Sequence, residues 1–207
     1  MRAGLEGEGV DVSELALVPG ARSPQSSILV TGEERAIVHF PGTVPPLAPT
    51  GRAQELMHAA EWVHADHAGY AAVPEGARLS LDGGNPVPGL DLGRVELYSP
   101  TETALSRDVG SAEDALAAGA RLVVVTRGAQ GCSAWTSEGR VDAVPAPLDT
   151  PPVSTLGAGD VFHGALLAGL VGGRDLAGAL ALANRCAALS CRALDGRSAI
   201  PTLQEVE

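Results

Sequence analysis

A glycine-rich turn stands directly before a long apolar segment, and this junction restricts the fold more than any other feature of the sequence. The turn reads G-A-G-D at residues 157–160, and the apolar segment continues to residue 170. The segment predicts a buried helix, whose first-turn N–H groups have no partner within the helix. Because glycine and alanine leave those groups accessible, the junction predicts an anion-binding site at a helix N-terminus.

Asp160 falls in the first turn of this predicted helix. The partial positive charge of a helix N-terminus favours the ionised carboxylate, which can accept a proton. A carboxylate beside an anion site supplies two parts of a phosphoryl-transfer site. The alternative is a glycine-rich loop whose aspartate only complements the helix dipole, and the motif alone leaves both interpretations open.

The rest of the chain has the pattern of an α/β protein. Residues 122–125 form a continuous apolar run, rich in β-branched side chains, that is typical of a buried parallel strand. Further strands and hairpins are predicted at residues 26–30 with 35–40 around a turn at 31–34, 62–65, 78–82, and 132–135 with 140–144. Helices are predicted at residues 54–60, 112–118, 160–170 and 175–194.

Composition excludes several classes of function. All 14 basic residues are arginine, so the chain has neither a Walker A lysine nor a Schiff-base lysine. A net charge of -11 opposes nucleic-acid binding. No segment approaches the roughly 20 apolar residues of a membrane helix, and no signal segment opens the chain, so we expect a cytoplasmic protein without a membrane partner. Three cysteines without zinc-type spacing predict reduced, buried thiols: Cys132, Cys186 and Cys191.

Several motifs together resemble the ribokinase-like (PfkB) carbohydrate kinases. Residues 155–160 match the last six positions of that family's D-T-x-G-A-G-D signature, and residues 123–131 resemble its strand and T-x-G-x-x-G turn. Residues 183–188 and 196–201 are similar to its closing helix and tail. The early hairpin, residues 23–37, resembles the family's lid in the form of the ketohexokinase branch. The segments occur in the family's order along nearly the whole chain.

The resemblance implies both a fold and an activity. The fold is a three-layer α/β sandwich with a mainly parallel central sheet, a small β lid at residues 23–45 and a nucleotide-binding region at residues 120–207. The activity is ATP-dependent phosphorylation of a hydroxyl group of a sugar or sugar-like molecule. Magnesium would arrive with the nucleotide, held by phosphates and water rather than by a dedicated protein site. The lid also implies a homodimer surface.

The resemblance also assigns roles to particular residues. Asp160 is the base that deprotonates the acceptor hydroxyl, and the residues of the preceding turn form the anion hole: Gly157, Ala158 and Gly159. Four further residues would lie along ATP: Thr126, Gly128, Gly131 and Asn184.

Some features depart from the family pattern. The chain begins near the lid, so we expect a single domain, residues 1–207, that lacks the family's N-terminal strands and most of its sugar contacts. Ser154 replaces an aspartate linked to a monovalent cation, which argues against potassium activation. Thr101 and Ala104 replace both key residues of an N-x-x-E segment that handles magnesium and phosphate, so that role is either weakened or shifted to Glu102. These departures support an alternative function, a catalytically impaired nucleotide-binding remnant or subunit.

Other polar clusters have simpler interpretations. The run H-A-D-H at residues 64–67 is predicted to be a loop rather than a metal site, because adjacent loop residues rarely converge on one ion. His163 shares a helix face with Asp160 and is predicted to be a packing or surface histidine. Three arginines could bind phosphate but are each expected to be surface charges: Arg127, Arg192 and Arg197.

Overall fold

The computed structural model describes residues 2–31 and 34–206. The chain divides into two compact units, Met1–Glu55 and Leu56–Glu207. No helix in the described ranges is long and apolar enough to span a membrane.

The first unit contains a short helix and a two-stranded antiparallel sheet: α1 (Arg2–Gly7), β1 (Gln25–Thr31) and β2 (Glu34–Phe40). The two strands confirm the predicted hairpin, while residues 32 and 33 of its predicted turn lie outside the described residues. The register pairs Ile28 with Ile37, so alternating side chains of both strands share each face. Apolar residues are exposed on both faces, with Leu29 and Val38 on one and Val30 and Ile37 on the other.

The second unit carries the remaining strands and helices, with α2 beginning just before its boundary. In chain order these elements are α2 (Arg52–Ala59), β3 (Val63–Ala65), β4 (Leu79–Asp82), β5 (Val95–Ser99), α3 (Glu102–Asp108), α4 (Ala112–Ala117), β6 (Leu122–Thr126), β7 (Cys132–Thr136), β8 (Gly139–Ala143), α5 (Ala158–Val171), α6 (Leu176–Ser190) and α7 (Leu203–Val206).

The sheet of the second unit has six strands in the order β3-β4-β5-β6-β7-β8. The strands β3 to β6 are parallel, and β7 and β8 extend the sheet as an antiparallel hairpin. Helices α3 and α4 contact β6, and their buried residues belong to the core on one face. Helices α5 and α6 supply the core on the other face and contact each other extensively. This arrangement confirms the predicted α/β sandwich with a mainly parallel sheet.

The alternation of side chains in β4 determines which residues face α5. Leu79 and Leu81 are fully buried in the α3–α4 core. Because successive side chains of a strand point to opposite faces, Ser80 and Asp82 face the α5 side. The glycine pair after Asp82 allows a close approach, since the ring of Tyr98 lies where a side chain at Gly83 would be. The end of β4 thereby places a carboxylate beside α5.

Four elements were not predicted, namely α1, β5, α3 and α7, and α6 is shorter than predicted. β5 is buried on both faces, so Val95–Ser99 has no alternating pattern to reveal it. α3 follows immediately and begins at a capping threonine, Thr101. α6 ends at Ser190, not at residue 194, because residues 191–194 form turns. The predicted burial of all three cysteines is confirmed.

Candidate functional site

The glycine-rich turn lies at the N-terminus of α5, as predicted. Gly157 is the N-cap residue and has a left-handed conformation with φ of 77°. A side chain there would place its Cβ 2.8 Å from the Cα atom of Gly196. Both the backbone angle and the close contact therefore require glycine at residue 157. The contact joins the turn to the loop at residues 195–198.

That loop is organised by Asp195, a residue that the sequence analysis missed. Its carboxylate accepts hydrogen bonds from the amides of Arg197 and Ser198, each at 2.8 Å, and from the Ser198 hydroxyl at 2.6 Å. The Ser198 hydroxyl and these amides lower the pKa of Asp195 to about 2. Aspartate side chains commonly accept a hydrogen bond from the backbone amide two residues further on, as Asp195 does from Arg197. The ionised Asp195 holds the loop against which Gly157 packs.

Two backbone amides of the turn are available to a ligand. The amide of Ala158 donates to the Thr155 carbonyl at 3.3 Å, and that of Val161 donates to the Gly157 carbonyl at 3.0 Å. Within residues 2–31 and 34–206, the amides of Gly159 and Asp160 have no acceptor. A Cβ atom built on Gly159 would have no neighbour within 4 Å. The first turn of α5 is thus open at its two unpaired amides.

Asp160 lies in this same first turn and its side chain is exposed. No hydrogen bond or ion pair reaches its carboxylate from the described part of the chain. A carboxylate with no competing partner can accept a proton from a bound molecule. The geometry therefore brings together a carboxylate and two free N–H donors.

A second glycine-containing turn follows β6, and it has a closed structure. Thr126 ends β6 at the carboxyl edge of the sheet, next to Thr101. The Arg127 amide donates to the Gly131 carbonyl at 2.8 Å, and the Gly131 amide donates to Gly128 at 3.0 Å. Gly131 has φ of 81°, and a Cβ atom there would be 2.9 Å from the backbone nitrogen of Pro145. This glycine is needed for close packing against the end of β8.

Asn184 of α6 supports the same region. Its side chain is buried, and Nδ2 donates to the carbonyls of Ala143 at 3.2 Å and Val144 at 2.9 Å. These bonds satisfy backbone oxygens where β8 ends. The structure thus gives the amide nitrogen of Asn184 a role within the protein.

The residues that depart from the family pattern have local partners. The Ser154 hydroxyl accepts the Leu156 amide at 3.2 Å, and the Thr101 hydroxyl accepts the Ala104 amide at 3.2 Å. Glu102 is exposed in the first turn of α3. The Thr101 hydroxyl therefore caps α3 and is not a free polar group.

The predicted surface arginines also differ in their contacts. The guanidinium of Arg127 donates to the Ser133 hydroxyl at 2.7 Å, and that of Arg192 pairs with Glu205 at 3.2 Å. Arg197 is exposed in the loop that packs against the glycine turn. Neither Arg127 nor Arg192 is therefore a solitary surface charge.

A buried polar group lies next to the first turns of α5. His163, predicted to be a packing or surface histidine, is buried with Nε2 3.5 Å from Oδ1 of Asp82. His64 lies in β3, which confirms the strand predicted at residues 62–65, so the assignment of His64 to a loop is wrong. Its Nδ1 is 3.1 Å from the Ser80 hydroxyl, and its ring centroid is 5.4 Å from that of His163. Burial, followed by the charge of His163, lowers the pKa of His64.

The expectation that the H-A-D-H run holds no metal stays a prediction. Among the described residues, no group of three or more histidine, cysteine, aspartate or glutamate side chains could coordinate an ion. Sequence reasoning missed Asp82 because its partner, His163, follows it by 81 positions, from 82 to 163.

The fold and the site define an α/β protein with two unpaired amides at a helix N-terminus beside a carboxylate without a described partner. Comparison with known proteins assigns the family. A family model described as pfkB family carbohydrate kinase matches residues 96–203, just over half of the chain. The chain therefore belongs to the pfkB family of carbohydrate kinases, as predicted.

Individual relatives agree with this assignment. Bacillus subtilis ribokinase is 38% identical over 96 residues, which cover 45% of this chain but only 31% of the ribokinase. An uncharacterized sugar kinase of Archaeoglobus fulgidus is 27% identical over 223 residues, covering 96% of this chain and 88% of that protein. The chain thus matches less than a third of the ribokinase and most of the archaeal protein.

A solved structure confirms the ribokinase-like fold. A putative ribokinase II from Escherichia coli, determined in complex with ATP and Mg²⁺, superimposes with a TM-score of 0.80 at 22% sequence identity. The superposition covers 99% of this chain and 76% of that structure. At this identity the similarity establishes the fold.

Proposed function

We propose that this protein uses ATP to phosphorylate a hydroxyl group of a sugar or sugar-like molecule, with Asp160 as the base. The observation that carries the proposal is the pair of free amides, Gly159 and Asp160, beside a carboxylate without a protein partner. Membership of the pfkB family supplies the class of reaction. The glycine turn, Gly157, Ala158 and Gly159, is the proposed anion hole.

The reaction at this site is a direct transfer. The Asp160 carboxylate takes the proton from the acceptor hydroxyl, and the hydroxyl oxygen forms a bond to the γ-phosphorus of ATP. The bond between that phosphorus and the bridging oxygen breaks, and ADP leaves with its electron pair. The amides of the anion hole stabilise the negative charge on the phosphoryl oxygens during transfer.

ATP is proposed to lie along the carboxyl edge of the sheet. Ligands of open α/β sheets bind outside the carboxyl ends of the parallel strands, where β6 places Thr126. The same site is proposed to be lined by Gly128, Gly131 and Asn184. The Asn184 amide nitrogen already donates to the carbonyls of Ala143 and Val144, so Asn184 contributes to the proposed site by positioning the backbone at the end of β8.

The residues present suit a magnesium ion that is held mainly by phosphates and water. The described residues offer no cluster of three or more ligating side chains, and Mg²⁺ keeps several waters in such sites. When bound, the ion would neutralise charge on the phosphates. The Escherichia coli relative, solved with ATP and Mg²⁺, supports this assignment.

The hairpin at residues 23–45 is proposed to act as a lid and as a homodimer surface, as in the ketohexokinase branch. Its support is the exposed apolar surface of the hairpin, where Leu29, Val30, Ile37 and Val38 are each at least 58% exposed. Surface of this kind on both faces of a two-stranded sheet is characteristic of an interaction site.

The alternative function is nucleotide binding without kinase activity. It is favoured by Thr101, whose hydroxyl is engaged as a helix cap, and by Ala104, which has no polar group. Both stand where the family pattern has magnesium- and phosphate-handling residues. This alternative predicts ATP binding without ADP release for any acceptor.

The test is the change Asp160→Asn in the full chain. We expect ADP release with a panel of sugars and nucleosides to fall by roughly 10²- to 10⁴-fold, because an amide cannot accept the hydroxyl proton. ATP affinity, measured by calorimetry, should be retained. The control is Glu138→Gln, an exposed residue in the β7–β8 turn. Unchanged turnover in Asp160→Asn would reject the base, and no turnover in the unaltered chain would favour the alternative function.

A further inference from the structure

The carboxyl end of β4 carries a second carboxylate, which the proposed mechanism does not use. Asp82 ends β4, and its side chain is 25% exposed. Its Oδ1 accepts a hydrogen bond from the Gly84 amide at 2.7 Å and lies 3.5 Å from Nε2 of His163. Across the described part of the chain, no group donates a hydrogen bond to Oδ2. Asp82 therefore has one oxygen fixed by the protein and one available to a ligand.

His163 connects this carboxylate to the candidate site. It follows Asp160 by one turn of α5, so the two side chains lie on neighbouring parts of the same helix face. The Nδ1 atom of His163 is buried and has no partner among the described residues. A proton on Nδ1 would be a buried donor without an acceptor, so the tautomer with its proton on Nε2 is favoured over the one with its proton on Nδ1. The Nε2–H group then points toward Asp82.

The ionisable groups around Asp82 and His163 do not neutralise the Asp82 carboxylate. His64 is the neighbouring ionisable group on β3, and burial favours its neutral form by lowering its pKa. Burial of Asp82 raises its pKa, but His163 and the Gly84 amide outweigh this effect, and the net pKa lies below its usual value. Asp82 is thus an ionised carboxylate at neutral pH.

We propose that Asp82 binds the acceptor, and that the acceptor is a neutral polyhydroxyl compound that donates a hydrogen bond to Oδ2. The inference rests on the proposed kinase function, because the same acceptor presents another hydroxyl to Asp160. An ionised carboxylate only accepts hydrogen bonds and repels other anions. The part of the acceptor next to β4 is therefore a hydroxyl group and not a phosphate or carboxylate.

Binding measurements test this inference without using activity. Two matched pairs, D-fructose with fructose 6-phosphate and D-ribose with ribose 5-phosphate, are titrated by calorimetry into the full chain saturated with a non-hydrolysable ATP analogue. We expect a neutral sugar to bind at least about tenfold more tightly than its phosphorylated counterpart.

The change Asp82→Asn retains an oxygen for the Gly84 amide and removes the charge. We expect it to weaken binding of the neutral sugars by about tenfold to a hundredfold, since hydrogen bonds to charged groups are the stronger ones. Affinity for the ATP analogue should stay the same. Glu138→Gln, far from the pair in the β7–β8 turn, is the matched loss of one carboxylate and should change neither affinity.

Four results would overturn the inference: no binding of either neutral sugar, equal or tighter binding of the phosphorylated sugars, unchanged affinity in Asp82→Asn, or equal weakening in Glu138→Gln. Failure of the proposed function has a different signature, in which the neutral sugars bind through Asp82 but no ADP is released. If thermal melting shows that Asp82→Asn does not fold, Asp82→Glu replaces it. The same weakening is expected there, because the carboxylate moves by one methylene group.

Discussion

The turns at residues 126–131 and 157–160 each contain two glycines, and they differ in what those glycines permit. In the first, Gly131 is packed against the end of β8 and the local amides of Arg127 and Gly131 are hydrogen bonded within the turn. In the second, Gly159 has no neighbour within 4 Å of a built Cβ atom and its amide has no acceptor in the described ranges.

The contrast separates two reasons for glycine that look the same in a sequence. A glycine with positive φ and tight surroundings is required by the fold. A glycine with ordinary helical geometry and open surroundings is not required by the fold, and at residue 159 the proposed reason is access of a ligand to the backbone. Gly131 belongs to the first kind and Gly159 to the second.

The largest expected effect on stability is that of Gly131→Ala. Its backbone conformation, with φ of 81° and ψ of -144°, is accessible almost only to glycine, and the strain together with the contact to β8 should reduce the free energy of unfolding by about 3 kcal/mol. Urea denaturation measures the loss. The control is Gly128→Ala, where φ is 53° but no atom lies within 4 Å; strain alone should cost about 1 kcal/mol there. Equal losses in both variants would show that the contact with β8 is unimportant.

Gly159→Ala should have the opposite effect on the free energy of unfolding from Gly131→Ala. Alanine is the better helix former and meets no atom, so the free energy of unfolding should rise by up to about 1 kcal/mol. The added methyl group crowds the amides that are proposed to hold the phosphoryl group, so ADP release should fall by roughly tenfold or more. Activity and melting are measured on the same sample. Unchanged activity in this variant would remove the distinction between the two turns.

The smallest expected effect concerns the loop that supports Gly157. The pKa of Asp195 is about 2, below its ordinary value of 3.8. Its ionised form therefore contributes stability above pH 3.8, and that contribution is lost as the pH falls through about 2. Thermal melting between these pH values should show a decline that Asp195→Asn reduces. The same decline in both proteins would assign the effect to other carboxylates.

The parallel sheet and the site were predictable to different degrees. The apolar run of β6 and the motif before α5 are local patterns, so both were found from the sequence. β5 was missed because burial on both faces removes alternation. Asp82 and His163 were missed as a pair because only the fold brings the end of β4 to the first turns of α5. The contact between Gly157 and Gly196 also joins residues that are far apart in the sequence, so it was missed for the same reason.

The central claim is that the free amides of Gly159 and Asp160 bind the terminal phosphate of ATP. Backbone amide resonances report this directly, in ¹H–¹⁵N spectra of the full chain titrated with Mg²⁺ and either ADP or a non-hydrolysable ATP analogue. The account predicts that the resonances of Gly159 and Asp160 shift with the analogue and move far less with ADP, which lacks the γ-phosphate. Saturation of the protein by the analogue with both amide resonances unmoved would contradict it.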